Sequence, residues 1–321
     1  IINSKTEGAL SCAISQLNGG LSNCINKQKS ELVNVLALLE ASIDYSEEEI
    51  LPISTEETTK KIDEIIVALQ KIVLTFQTGK VFKDGIRTVI VGRPNVGKSS
   101  VLNVLVGQDI AIVTEIPGTT RDIIEETIDI YGVPLILMDT AGIRKHSLDT
   151  VEKIGIERAR KTLETADLVL FVLDSSSELS SEDSHIAELL VSKKTIIVFN
   201  KSDLPKKIGD IKEIKGTSRV VCVSALLNEG IEELKRIIYD LFIAGDVRNS
   251  EVILTNMRHK VLIEHSLESL EKANNSLKVG LSEEFAAMDL RGALNYLGEI
   301  TGEVPTDEIL DRIFSNFCVG K

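Results

Sequence analysis

Ile62, Ile65, Ile66, Leu69, Ile72, Val73 and Phe76 recur at three- and four-residue spacing, which puts them on one face of a helix and predicts an amphipathic segment. Ser54, with Glu57 three positions on, predicts a capping box at its start, and Gly79 after Thr78 predicts its stop. Upstream, 32–39 is apolar nearly all round, as a buried helix is; the whole stretch from Ser4 to Gly79 reads as helical. Around Asp84-Gly85 the texture changes. From there to about 244, short β-branched runs at 88–91, 135–138, 168–173, 195–199 and 220–223 predict strands. Amphipathic helices at 99–106, 151–165, 182–191 and 231–242 alternate with them. That rhythm predicts a mostly parallel sheet with helices on both faces. Tyr131-Gly132 predicts a hairpin turn between 128–130 and 133–138, the one antiparallel pairing. After Gly245 the helical spacing returns, with Val261, Leu262, His265, Leu267 and Leu270 on one face and Leu310, Ile313, Phe314 and Phe317 on another. The predicted fold class is therefore α/β: residues 85–245 form an α/β block inserted into an all-helical domain built from 1–84 and 246–321.

Composition narrows the class. At 321 residues there is chain enough for two ordinary cores, and 43% apolar with 26% charged residues excludes a disordered chain. No apolar run is read as approaching the roughly 20 residues of a membrane span, and Ile1-Ile2-Asn3-Ser4-Lys5 is not a signal peptide's layout, so a cytoplasmic location with no membrane partner is expected. The first residue is not Met, from which an upstream segment is expected. A net charge of −13 argues against a broad basic surface, so any contact with nucleic acid must be local or assisted. Cys12, Cys24, Cys222 and Cys318 lie far apart, without the spacing of a zinc site or a disulfide framework.

Gly92-Arg93-Pro94-Asn95-Val96-Gly97-Lys98-Ser99-Ser100 follows a predicted strand and opens a predicted helix, the context that makes a phosphate-binding loop. Its glycines let backbone N–H groups approach phosphate, Lys98 neutralises the β- and γ-oxygens, and Ser99 can ligate Mg²⁺. Asn200-Lys201-Ser202-Asp203 follows the strand 195–199, and a carboxylate at Asp203 can accept from both N1–H and the exocyclic amine of guanine. This predicts GTP over ATP and disfavours a P-loop kinase. Ser224-Ala225-Leu226 fits the loop behind the base. Asp139-Thr140-Ala141-Gly142 supplies a second carboxylate for Mg²⁺, and Thr120, in Thr114-Glu115-Ile116-Pro117-Gly118-Thr119-Thr120-Arg121-Asp122, is the natural Mg²⁺ ligand of a switch loop.

One position is informative by what it lacks. Ile143 stands after Gly142, where many GTPases carry the Gln that orients the attacking water. Arg144, Asp149 and Glu152 are the candidates to replace it, and Glu152 reads equally well as a helix first-turn carboxylate. No arginine finger is identified among Arg121, Arg144 and Arg158; Asn95 with oxygens of 114–119 could cage a monovalent cation, or Asn95 could simply form the turn after Pro94.

These stretches, together with Val151-Glu152-Lys153-Ile154-Gly155-Ile156-Glu157-Arg158 and the terminal Ile313-Phe314-Ser315-Asn316-Phe317-Cys318-Val319-Gly320-Lys321, resemble the MnmE (TrmE) family of tRNA-modification GTPases. Ala41 to Ile50 also looks like that family's helical domain, so the likeness spans the chain, and the family's N-terminal folate-binding domain is expected to be what precedes it. The resemblance implies that Asn95, Thr114, Ile116 and Thr119 hold K⁺ and that Glu152 orients the water. It also implies a homodimer whose G domains meet across their switch faces. With the flavoprotein MnmG and methylene- or formyl-tetrahydrofolate, such a protein modifies C5 of the wobble uridine (U34) of tRNA to the carboxymethylaminomethyl form. Cys318 is implied to matter for that modification, and Lys321 to approach the folate. The alternative is a ribosome-assembly or signalling switch without modification chemistry; its relatives carry an RNA-binding or second G domain where this chain has a helical tail ending Cys318-Val319-Gly320-Lys321.

Overall fold

A computed structural model describes residues 4–44, 54–108, 126–138, 162–208, 219–243 and 252–302. The chain divides into two compact units, Ile1–Ser11 with Val81–Gly245, and Cys12–Lys80 with Asp246–Lys321.

Among the described residues the first unit holds a six-stranded sheet in the order β2-β3-β1-β4-β5-β6. Its strands are β1 (Ile86–Val91), β2 (Glu126–Ile130), β3 (Val133–Leu137), β4 (Leu168–Asp174), β5 (Thr195–Asn200) and β6 (Arg219–Cys222). Only β2 and β3 pair antiparallel, and the turn between them has positive φ at both Tyr131 (51°) and Gly132 (86°), the geometry whose twist matches a two-residue hairpin. All other neighbours are parallel, for example Thr88 opposite Leu168 and Val91 opposite Phe171. Period-two alternation with both faces covered explains why the central strand β4 is apolar at consecutive positions. In β4, Leu168, Leu170 and Val172 join one buried cluster, while Val169, Phe171 and Leu173 join the cluster on the other face. Each such side chain is worth roughly 1.5–3 kcal/mol of burial. Around the sheet lie α5 (Lys98–Gln108), α6 (Ser181–Leu189) and α7 (Ile231–Phe242), the last presenting Ile231, Leu234 and Ile238 to the core; all three come after α1–α4 in chain order, given below. The predicted helix over 151–165 falls mostly outside the described residues, of which 162–165 are helical.

The start of the chain packs differently from the pattern-based grouping. In α1 (Glu7–Leu17), the residues up to Ser11 belong with the sheet: Thr6 Oγ1 donates to Gly132 O at 2.6 Å, and Lys5 Nζ to Thr127 Oγ1 at 3.2 Å.

The second unit is helical: α2 (Gly20–Asp44), α3 (Thr55–Leu74), α8 (Met257–Val279) and α9 (Glu283–Thr301), with most of α4 (Phe76–Asp84) following α3. Its core joins Ile25, Leu32 and Leu36 to Ile62 and Leu69, and to Leu270, Ala273, Ala293 and Leu297. Ser54 caps α3, its Oγ accepting from Glu57 N at 3.4 Å. Thr55–Asp84 is long and apolar enough by composition to cross a membrane, unlike the reading of the bare pattern, but Ile62 and Leu69 on it are fully buried in this core. Three positions play other parts than spacing predicts. Gly79 lies inside α4, and it is needed because a Cβ there would stand 2.1 Å from the carbonyl of Leu254. Along α8 the predicted Leu262, Leu267 and Leu270 are buried, together with Ile263, Ser266, Ala273, Asn274 and Leu277, while Val261 and His265 at the edge of that face are exposed.

Candidate nucleotide-binding site

The candidate site is built at the carboxyl ends of β1, β5 and β6, where ligands of open α/β sheets sit. Between β1 and α5 the chain makes its phosphate loop, Gly92 to Gly97. Gly92 (φ 148°) and Gly97 (φ 95°) adopt conformations that suit glycine, and both are closely approached: a Cβ would meet Val172 O at 2.3 Å in the first case and Asn200 Nδ2 at 2.1 Å in the second. Asn95 sits exposed with φ 63°, in the left-handed region that Asn tolerates, and Val96 is buried beneath it. Lys98 opens α5. Its Nζ donates to the carbonyls of Gly92 and Arg93, each at 2.8 Å, so the ammonium lies against the loop backbone at the helix N-terminus, where favourable partial charge for an anion collects. Burial pushes that ammonium's pKa below its ordinary value. Ser99 and Ser100 occupy the same first turn.

Asn200 is the link between the two predicted motifs. It is 2% exposed, its Nδ2 donates to Val96 O at 2.9 Å, and its Oδ1 accepts from Ala225 N at 3.1 Å. One side chain thereby joins the phosphate loop, the end of β5 and the loop after β6. Asp203, exposed, accepts at Oδ1 from Ser224 Oγ at 2.5 Å, and that fully buried serine accepts in turn from Leu227 N at 3.2 Å. The carboxylate is thus held by one edge. Lys201 (φ 64°) donates to Asp174 Oδ2 at 2.5 Å.

Sequence reasoning missed Asp174, at the end of β4. Burial raises its pKa, but hydrogen bonds from Lys201 and Ser176 and the charge of Lys201 outweigh that and hold the carboxyl below its ordinary value. Its contribution to stability is therefore present above the unfolded pKa and is lost as pH falls toward the lowered one. Ser175 adds Oγ to Lys201 O at 2.8 Å. The only signal in the chain was a strand ending in Asp-Ser-Ser-Ser, which matches no spacing rule. Arg93, also unremarked, turns away from the loop toward Ser177 and Asp183.

Of the expected site residues, Asn95, Val96, Gly97, Lys98, Ser99, Ser100, Asn200, Lys201, Asp203, Ser224 and Ala225 are thus brought together or set in adjoining loops. Thr114, Glu115, Ile116, Pro117, Gly118, Thr119, Thr120, Asp139, Thr140, Ala141, Gly142, Glu152, Cys318 and Lys321 lie outside the described residues. Cys12, Cys24 and Cys222 are in no disulfide among the described residues.

A phosphate loop between a parallel strand and its helix, tied to an Asn-Lys-x-Asp loop at the end of β5, two strands over in the sheet, defines a P-loop nucleotide-binding protein of the guanine-reading class. The family model described as the MnmE helical domain matches residues 1–318. Over its whole length the chain is 45% identical to "tRNA modification GTPase MnmE" of Natranaerobius thermophilus and 43% identical to that of Clostridioides difficile, covering 70% of each. The chain belongs to the MnmE family. Among solved structures, the G domain of the T. maritima FeoB iron transporter aligns at 28% identity over 48% of this chain and 97% of that one with a TM-score of 0.36, too slight a likeness to carry an argument.

Proposed function

We propose that this chain binds and hydrolyses GTP in its α/β unit and uses that cycle in tRNA modification, as the relatives it resembles are named for. The observation that carries the guanine reading is the Asn200 bridge, which sets the Asp203 carboxylate at a fixed remove from the loop of Gly97 and Lys98. In this reading 85–245 is the GTPase domain inserted between helical parts 1–84 and 246–321.

Lys98 and the N–H groups of the α5 N-terminus hold the β- and γ-phosphates, while Asp203 reads the base edge and Asn200 keeps the two in register. Ser99, Thr120 and Asp139 would hold Mg²⁺; Asn95, Thr114, Ile116 and Thr119 would hold K⁺; both ions, when bound, neutralise charge that builds on the phosphates. The residues described fit these groups in part: the first-turn Ser99 and the exposed Asn95 flank the loop from which Lys98 reaches phosphate. Glu152 orients the attacking water in place of Ile143. A homodimer, the flavoprotein MnmG, a tetrahydrofolate one-carbon donor, tRNA carrying U34, and roles for Cys318 and Lys321 in the modification step complete the proposal, at a cytoplasmic site.

Three measurements test it. GTP turnover should be roughly ten- to hundredfold faster in K⁺ than in Na⁺ at equal ionic strength, and equal rates would sink the K⁺ role. Glu152→Ala should lower kcat by roughly a hundredfold or more while the affinity for a fluorescent GTP analogue stays within about twofold; an unchanged kcat would return Glu152 to a helix-end role. Sequencing wobble uridines in a strain deleted for this gene should show loss of the C5 group, and intact uridines would refute the modification role.

A further inference from the structure

Asp183 is 2% exposed on α6, a helix that lies outside both nucleotide loops. It closes a reciprocal capping box, accepting at Oδ2 from Ser180 N at 3.0 Å and from Ser180 Oγ at 2.8 Å, while Asp183 N donates to Ser180 Oγ at 3.3 Å. A cap needs no such burial; the same box works on a solvated helix end. Burying a carboxylate is costly unless a cation answers it. Here the cation is Arg93, the second residue of the phosphate loop, ion-paired through Nε at 3.3 Å from Asp183 Oδ2 without hydrogen-bond geometry, and with Nη2 hydrogen-bonded to Ser177 Oγ. Arg93 is itself only 24% exposed at its side chain.

The backbone of the same residue carries the consequence. The Arg93 carbonyl accepts from Lys98 Nζ at 2.8 Å, so the residue gripped by Asp183 through its side chain supports the phosphate-binding lysine through its main chain. We propose that Asp183 is a positioning residue for the phosphate loop, acting through Arg93. The inference rests on reading that loop as a guanine-nucleotide site and adds a support on a helix that motif spacing does not reach. It also commits Arg93: a guanidinium held by Asp183 and Ser177 is engaged away from the carbonyls on which Lys98 rests.

The test is GDP binding to the full chain, measured by titration with a fluorescent GDP analogue, with thermal unfolding of each variant in the absence of nucleotide. Asp183→Asn keeps the shape and an oxygen for the cap but removes the charge, and its Kd for GDP should rise about five- to tenfold. Ser180→Ala removes the cap's hydroxyl and leaves the Arg93 pair; its Kd should stay within about twofold. In an Arg93→Ala background, Asp183→Asn should add less than about a twofold change, because the two act through one contact. Equal weakening by Ser180→Ala and Asp183→Asn, additive losses with Arg93→Ala, or an unchanged or tighter Kd in Asp183→Asn would each overturn the proposal. Should Asp183→Asn not fold, Ser177→Ala decides: it withdraws an Arg93 partner without touching the helix box, and a Kd unchanged from the parent overturns the proposal while a severalfold rise supports it. Failure of the unaltered chain to bind GDP would instead remove the reading of the site itself, and this proposal with it.

Discussion

Asp203→Asn should exchange guanine preference for xanthine, lowering GDP affinity by about a hundredfold or more and bringing XDP into the range the parent shows for GDP. The direction comes from Ser224. That serine is fully buried, its hydroxyl proton is directed to Asp203 Oδ1, and its oxygen already accepts from Leu227 N. An asparagine at 203 must therefore turn its carbonyl toward Ser224 and its amide toward the base. Guanine presents N1–H and an exocyclic amine, so donor would face donor; xanthine has a carbonyl where guanine has the amine and accepts from the amide instead. Charge-assisted hydrogen bonds contribute about 1.5–3 kcal/mol, and a site left with an unmatched polar pair loses a similar amount again, which is where the hundredfold comes from. Competition titration of GDP against XDP on parent and variant is the measurement. Retained GDP preference would show that the base edge is read elsewhere.

Much of this site was legible because its chemistry is concentrated in runs of adjacent residues. Gly92, Gly97 and Lys98 declare a phosphate loop, and Asn200, Lys201 and Asp203 a base loop, since each needs residue types that a plain turn does not require at those offsets. The strands were legible for a similar reason: in a sheet covered on both faces, the interior of β4 (168–173) and of β5 (196–199) must be apolar on both sides, and such an unbroken apolar run between turns announces itself. What was hidden depends on pairs far apart in the chain. Nothing local distinguishes Asp174 from any acidic strand end until Lys201 arrives beside it, and Asp183 looks like an ordinary first-turn carboxylate until its burial and Arg93 are seen together. Gly79 reads as a helix stop because glycine usually is one there, and only the approach of the Leu254 carbonyl gives its other reason. Along α8 the spacing picked out Leu262, Leu267 and Leu270, which are buried, but took in the exposed Val261 and His265 and passed over Ile263, which the neighbouring helices cover.

A single methyl group at Gly97 is expected to cost both stability and nucleotide affinity. The residue has φ 95°, where an L side chain is strained, and a Cβ would lie 2.1 Å from Asn200 Nδ2 and 3.4 Å from its Cγ. Asn200 is 2% exposed and bonded on both sides, to Val96 O and Ala225 N, so it has no empty space into which to withdraw. Gly97→Ala must move it, leaving a buried carbonyl and a buried N–H unanswered at about 1–3 kcal/mol each, in addition to backbone strain of about 1–3 kcal/mol. Partial relaxation will return some of this, and a net destabilisation of about 2–4 kcal/mol is expected, with GDP affinity reduced by about a hundredfold or more because the two nucleotide loops lose their common tie. Gly107→Ala, near the end of α5, is the matched control: nothing lies within 4 Å of its Cβ, and the change should be neutral or slightly stabilising. The cause is separable from general damage by a cycle with Asn200→Ala, which removes the atom that is struck. In that background the Gly97→Ala penalty should shrink toward the backbone strain alone. A penalty of the same size with and without the Asn200 side chain would show that the collision is not what makes the glycine necessary.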